Sequence, residues 1–233
     1  LYIIIVLGYI AGRFLRVEKE SIAPLLIYII TPIIVLSGAI TIPLNLKVFS
    51  LPLLYLIPAC VMCLIFYFIA GRIWKGTEKN ILAYASGTGN TGYFGLPLIL
   101  AFFDPMYFSV TIFIGLGGIL YESTIGFFIV AKGNFTLKKS LYKVLRLPTI
   151  YALLVGIAIN VIDFPVSQSI SDALTYFKGA YIVLGMMLIG LSLSQVTRQH
   201  IDTGFSIFAN FAKFIIFPIV SVTFVFLDQH FFH

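Results

Sequence analysis

Long apolar runs, separated by short charged or Pro- and Gly-containing stretches, make up almost the whole chain. A helix needs about 20 apolar residues to cross the hydrocarbon core of a membrane, and most of these runs approach or exceed that length. We therefore predict an all-α polytopic membrane protein with eight membrane segments. Their predicted ranges are 1–15, 21–43, 51–73, 80–103, 107–131, 147–163, 171–195 and 203–227.

Composition agrees with this assignment. The chain is 60% hydrophobic and 10% charged, with a mean hydropathy of +1.06, whereas soluble domains carry roughly 25% charged residues. In a soluble protein the net charge of +6 would suggest nucleic acid as a partner, but here the basic residues fall in short loops between apolar runs. We therefore expect membrane lipid and no nucleic acid among the partners.

The basic residues also predict the orientation in the membrane. Twelve of the fifteen Lys and Arg residues follow odd-numbered segments, and loops rich in Lys and Arg stay in the cytoplasm. This places the N-terminus outside. The twelve residues are Arg13, Arg16, Lys19, Arg72, Lys75, Lys79, Lys132, Lys138, Lys139, Lys143, Arg146 and Arg198.

An internal repeat predicts the architecture. Sliding the chain against itself by 148 residues places Gly8 on Gly156 and residues 26–28 on residues 174–176. The alternative is a chance match among apolar residues. With this offset the first three segments fall on the last three, so the repeating unit has five segments. An odd number of spans inverts the second copy, as in many secondary transporters.

The repeat divides the chain into three parts: a first five-helix repeat at 1–131, a basic cytoplasmic linker at 132–146 and an inverted second repeat at 147–233. Counterparts of the fourth and fifth segments would lie beyond residue 233, and the first run is short and does not begin with Met. We therefore expect a longer protein with ten spans, of which eight are present here.

Residues 86–97, SGTGNTGYFGLP, interrupt the fourth segment with four glycines, an asparagine and a proline. Unwound backbone at membrane depth is tolerated only where it packs in protein or lines a polar cavity. We predict two half-helices, one ending near Gly87 and one beginning near Thr91 or Gly92. The second half-helix would point its free amide groups and positive dipole end into the membrane centre, which suits an anion.

The break supplies most of the candidate site residues. Asn90 can donate its side-chain amide to a carboxylate, or it can cap the second half-helix. A competing interpretation is a small-residue face for helix packing, with an ordinary proline kink. The substrate-binding candidates are Gly89, Asn90, Thr91, Gly92 and Tyr93, and we assign structural roles to Gly95 and Pro97.

Three stretches resemble the auxin efflux carrier family in its bacterial branch: residues 8–12 (GYIAG), 90–98 (NTGYFGLPL) and 147–156 (LPTIYALLVG). The resemblance implies ten helices in two inverted five-helix repeats, with two broken helices that cross at the centre. It also implies transport of organic anions such as malate, malonate or an auxin-like carboxylate, and a place in the bacterial inner membrane. The chain departs from the family by ending before the second broken helix, and Leu147 stands where the family often has Asn.

A few polar residues lie inside the remaining segments. Glu122 is near the centre of the fifth segment, where a carboxyl group is energetically unfavourable. It can carry a coupled proton; the alternative is a structural carboxyl group that is hydrogen-bonded to a neighbouring helix. Lys213 can attract an anionic substrate, pair with Glu122, or extend toward the interface, as we expect for Lys178. Asn160 is expected to bridge helices by a hydrogen bond. Weaker signals are Thr31, Pro32 and Pro43, read as kink and end positions, and Gln195.

The sequence shows no motif for nucleotide binding, metal binding or thiol redox chemistry. No GxxxxGK[ST] loop is present, and His200, His230 and His233 lack metal-ligand spacing. Cys60 and Cys63 lie in an apolar run, where reduced core cysteines are expected rather than a redox pair. We therefore predict no enzymatic activity, no cofactor and no metal site.

These observations favour a secondary transporter that moves a small organic anion by alternating access, coupled to a proton or to sodium. A homodimer is a further option. The rival functions are a membrane sensor or scaffold with a transporter fold, a sodium-coupled carrier of the bile-acid type, and an ion channel. A channel would need a continuous polar lining, which no segment shows.

Overall fold

The structure, a computed structural model, describes residues 1–131, 142, 145–196 and 202–231 and is helical without strands in that part of the chain. Eight helical segments appear in the predicted places. They are Tyr2–Phe14; Lys19–Thr41; Leu46–Ile73; Glu78–Gly87 with Thr91–Gly95 and Leu96–Phe102; Met106–Ser123 with Ile125–Val130; Pro148–Val161; Gln168–Ser194; and Thr203–Phe211 with Ala212–Ile216 and Phe217–Phe231. We refer to them as the first to the eighth span.

The second, third, fifth, seventh and eighth spans are long and apolar enough to cross a membrane, and the first and sixth are shorter apolar helices. Many large apolar side chains on these helices point outward; Tyr176 is 79% exposed and Phe68 is 68% exposed. Outward apolar side chains are what lipid requires of a spanning helix. The predicted all-α polytopic membrane fold is confirmed.

Three of the spans contain a wider π turn just before a proline. Proline has no N–H and its ring clashes with the carbonyl oxygen four residues earlier, which favours such a turn. The π turns at Leu26–Ile30, Thr91–Gly95 and Ala212–Ile216 each end two residues before a proline, which is Pro32, Pro97 and Pro218 respectively. Pro52 and Pro58 lie within a continuous α-helix, so proline permits the wider turn and does not dictate it.

The predicted turn signals of the second span are confirmed. The helix ends at Thr41, two residues before Pro43, and the π turn stands directly before Thr31 and Pro32. Thr31 Oγ1 is buried without a hydrogen-bond partner in the described chain. At the end of the seventh span, Gln195 follows the last helical residue, Ser194.

The described chain forms two compact units. Unit 1 holds residues 1–48, 90–112 and the described part of 146–199. In it the first span packs on the seventh and the sixth span packs on the second. Asn160 Nδ2 donates hydrogen bonds to the carbonyl oxygens of Ala39 and Ile42, each 2.8 Å long. The predicted bridge between helices at Asn160 is thus confirmed.

Unit 2 holds residues 49–89, the described part of 113–145 and the described residues from 202 onward. A core of buried side chains joins the third, fourth and fifth spans: Tyr55, Ala59, Cys63, Ala83 and Tyr121. Cys60 and Cys63 are free thiols, and Cys63 is fully buried. They are packed among apolar neighbours, as expected for core cysteines.

Both units draw on both predicted sequence repeats, so the repeats are not the compact units of the fold. The division into repeats at 1–131 and 147–233 stays a prediction. Most of the predicted linker lies outside the described residues, as do Arg198, His200 and His233.

Candidate functional site: the break in the fourth span

The fourth span is interrupted where the sequence predicts. The first half-helix ends at Gly87, and Thr88 is extended, with φ −91° and ψ 138°. Asn90 has a non-helical backbone, with φ −91° and ψ 64°, and helix resumes at Thr91. The chain passes from unit 2 to unit 1 between Gly89 and Asn90. The break therefore joins a half-helix of one unit to a half-helix of the other.

The side chain of Asn90 is exposed and makes no hydrogen bond to any residue in the described chain. Only its backbone oxygen takes part in the turn, accepting from the Gly95 N–H at 3.0 Å. The capping role considered for Asn90 is therefore wrong. Its amide group stays available to a ligand, as a donor through Nδ2 and an acceptor through Oδ1.

The start of the second half-helix carries backbone donors that the helix itself does not use. The first N–H groups of any helix have no partner within it, and here these include the N–H groups of Thr91 and Gly92. The helix dipole adds partial positive charge at the same end. Together with the Asn90 amide, this arrangement can bind a carboxylate.

The glycines of the break do not form a shared packing face. A Cβ atom on Gly92 would lie 2.7 Å from Tyr181 Oη in unit 1, and a Cβ on Gly89 would lie 2.9 Å from Tyr55 Oη in unit 2. Gly95 would meet only atoms of its own segment, at 3.5 Å or more. The glycines therefore let two tyrosine hydroxyls approach the backbone on either side of the break.

The second half-helix packs on the seventh span through aromatic contacts. The rings of Tyr93 and Tyr181 are tilted, with centroids 5.6 Å apart. Gly185 provides the space, since a Cβ there would lie 3.0 Å from Tyr93 Cδ1. Sequence reasoning missed Tyr181, which is 3% exposed. It stands in an apolar run like many other aromatic residues, so only the fold distinguishes it.

In unit 2, tyrosine hydroxyls hold the end of the first half-helix. Tyr55 Oη donates to the Gly87 carbonyl oxygen at 3.3 Å, and Tyr121 Oη donates to the Tyr84 carbonyl oxygen at 3.0 Å. The last carbonyl groups of a helix need such partners. Gly87 itself fits tightly, because a Cβ would lie 2.6 Å from the Ala59 carbonyl oxygen.

Glu122 and Lys213 both belong to unit 2. Glu122 interacts electrostatically with Lys213, Tyr55 and Tyr84, but within the described chain it forms no direct ion pair with Lys213. The Glu122 side chain is exposed, and Lys213 is half-buried. A carboxyl group within a membrane segment is unfavourable in contact with lipid, which makes Glu122 a candidate functional residue.

The remaining sequence candidates lie elsewhere. The Lys178 ammonium group is 4.6 Å from the centre of the Phe108 ring in unit 1, a geometry that stabilises a cation without water. Lys213 and Asn90 belong to different units. No group of three His, Cys, Asp or Glu side chains that could hold a metal ion occurs among the residues with described positions.

No family model matches the chain. The chain is similar to a protein of Methanocaldococcus jannaschii named an uncharacterized transporter, at 25% identity over 234 residues, which are 95% of this chain and 75% of that protein. This similarity supports a transport role and membership of some transporter family. It does not assign the auxin efflux carrier family or a substrate. The chain is thus a multi-pass membrane protein that resembles a transporter.

Proposed function

We propose that the protein is a secondary transporter for a small organic anion with a carboxylate group, which binds at the break in the fourth span. The transport role rests on the similarity to a transporter. The anion specificity rests on one structural observation: the side chain of Asn90, which makes no hydrogen bond in the described chain, stands directly before the start of a helix. Backbone donors at a helix N-terminus favour anions.

Four further residues complete the proposed binding site. Gly89 and Gly92 have no Cβ atom, so the hydroxyls of Tyr55 and Tyr181 can approach the backbone next to the ligand. Thr91 contributes its backbone amide, and Tyr93 packs on Tyr181 beside the break. Gly95 and Pro97 shape the π turn that aims this amide. Half-helices that point at a substrate near the membrane centre are a recurring feature of transporters with alternating access.

Glu122 is the proposed carrier of a coupled proton. Its carboxyl group lies on a membrane segment and interacts electrostatically with two tyrosines and one lysine. The electrostatic interaction with Glu122 favours a role for Lys213 as its partner over direct contact with the substrate. A carboxyl group with a lysine partner can bind a proton and release it as the substrate moves. Coupling to sodium is the alternative.

The proposal also covers the family, the substrate, the location and the oligomeric state. They are membership of the auxin efflux carrier family, a substrate such as malate, malonate or an auxin-like carboxylate, an inner-membrane location with the N-terminus outside, and a homodimer. The resemblance of residues 90–98 and 147–156 to that family supports the family, the substrate class and the inner-membrane location. The orientation rests on the Lys and Arg residues of the loops, and the homodimer stays a prediction.

The test is uptake of labelled malate, malonate and an aromatic carboxylate by proteoliposomes that contain the full-length protein, with and without an imposed pH gradient. We expect saturable uptake of one of the three, increased by the gradient. Uptake driven only by sodium would favour a carrier of the bile-acid type. No uptake by folded protein would favour a sensor or scaffold.

A further inference from the structure

A cavity lies wholly within unit 2, and no residue of the break lines it. Its volume is about 810 Å³, within the roughly 300–1,000 Å³ range of small-molecule sites. The end of the third span, the start of the fourth and the Ile125–Val130 helix of the fifth form its walls. None of its lining residues belongs to the proposed transport site.

The mouth of this cavity is basic. Lys75 and Lys79 line it, and the Lys79 ammonium group also lies 5.2 Å from the centre of the Tyr67 ring. The Glu78 carboxylate lies against Gly76 in the same loop. Two lysines and one glutamate leave a net charge of one positive unit. That charge matches a ligand with a single negative charge, such as a phosphodiester.

Asn80 gives the cavity a buried polar group. Its side chain is 4% exposed, and its Oδ1 atom has no hydrogen-bond partner in the described chain. A buried acceptor without a donor is destabilising. Rotation of the Asn80 side chain toward the cavity would let a ligand that carries a hydroxyl group next to its negative charge donate to it. Asn80 lines the cavity one residue after Lys79. The positive charge and the hydrogen-bond acceptor are therefore close together in the chain.

The walls of the cavity away from the lysines are apolar, and some of their side chains are exposed on the outer surface of the protein. Leu64 is 50% exposed and Phe128 is 40% exposed. Because a helix rises about 1.5 Å per residue, Leu64 lies about 14 Å from the end of the third span at Ile73. The cavity therefore runs from a charged mouth into the apolar part of the membrane segment. This is the shape of an amphiphile, with a polar head at the interface and a chain below it.

We propose that this cavity binds an anionic phospholipid whose headgroup carries a hydroxyl group, as in phosphatidylglycerol. The phosphate lies between Lys75 and Lys79, the headgroup hydroxyl donates to Asn80 Oδ1, and an acyl chain lies along Leu64 and Phe128. The positive loop distribution puts this mouth at the cytoplasmic leaflet, where basic pockets between helices recognise anionic headgroups. The site does not depend on which anion the protein transports.

The first experiment is native mass spectrometry of the full-length protein in micelles with equal amounts of phosphatidylglycerol and phosphatidylcholine of identical acyl chains. We expect preferential retention of phosphatidylglycerol. Lys75→Gln and Lys79→Gln should each lower the retained amount by about five-fold. Lys19→Gln is the matched control, since it removes the same charge from another predicted cytoplasmic loop, and it should change nothing. Equal retention of the two lipids, or an equal loss in Lys19→Gln, would overturn the proposal.

Two further comparisons separate a lipid from other anions. Phosphatidylmethanol has the same charge without a headgroup hydroxyl, so the wild type should prefer phosphatidylglycerol to it and Asn80→Leu should lose that preference. The ratio is measured within each variant and does not depend on its stability. An excess of glycerol 3-phosphate or malate should leave the bound lipid in place. Displacement by either would show a site for soluble anions instead.

Discussion

Gly8 on the first span lies directly against the backbone of Met187 on the seventh span, with no room for a Cβ atom between them. The sixth span meets the second span in the same way, because a Cβ on Gly156 would lie 2.6 Å from the Cβ of Ala39. A shift of 148 residues converts Gly8 into Gly156 and Ala39 into Met187. The two contacts therefore occupy equivalent positions of the predicted repeat.

We expect Gly8→Ala to destabilise the protein by about 1–3 kcal/mol, because the added methyl group meets backbone that cannot move aside. The measurement is thermal unfolding in detergent. Gly179→Ala is the control, since no atom lies within 4 Å of a Cβ there and Ala favours a helix over Gly. Equal stability of the two variants would show that the close contact between Gly8 and Met187 does not limit the size of the side chain at residue 8.

The two asparagines should respond in opposite ways to substitution. Asn90→Ala should abolish or strongly weaken anion uptake without a change in the unfolding temperature, because its side chain has no partner in the described chain. Asn160→Ala should lower stability by about 1 kcal/mol through loss of its two hydrogen bonds, with a smaller effect on substrate affinity. Uptake kinetics and thermal unfolding of both variants make the comparison. Unchanged uptake by Asn90→Ala would exclude it from the site.

Glu122→Gln should remove the response of uptake to a pH gradient, because the amide cannot bind and release a proton. Exchange of internal for external substrate should continue. The measurement compares net uptake with exchange in proteoliposomes, and Glu20→Gln near the start of the second span serves as the control. Accumulation of substrate against its gradient by Glu122→Gln would contradict proton coupling at this residue.

Gly92 and Tyr181 allow a test of the aromatic support behind the break. Gly92→Ala should reduce transport because its Cβ would lie 2.7 Å from Tyr181 Oη, whereas the next atom of that ring is 4.0 Å away. Removing the hydroxyl in Tyr181→Phe should restore activity to Gly92→Ala. Uptake by the two single variants and the double variant gives the coupling between them. Additive losses would show that the contact does not position the second half-helix.

Much of the fold was predictable from local sequence, because lipid cannot hydrogen-bond a backbone and each span must be apolar and helical by itself. The end of the first half-helix at Gly87 and the start of the second at Thr91 were also predictable, because the glycine, asparagine and proline residues between and after them interrupt a helix. The π turn before Pro97 was not predicted. Proline makes such a turn possible, but Pro52 and Pro58 show that packing decides whether it forms.

The sequence by itself determined the eight helical segments, the interrupted fourth span and the polar residues placed inside the membrane. Each of these depends on neighbours along the chain and on the absence of water in lipid. Only the tertiary structure decided that Asn90 is unpaired while Asn160 is bonded, that Tyr181 supports the second half-helix, and that Glu122 interacts electrostatically with Lys213. These relationships join residues distant in sequence, and apolar helices of similar composition can pack in many ways until small residues such as Gly8 select one.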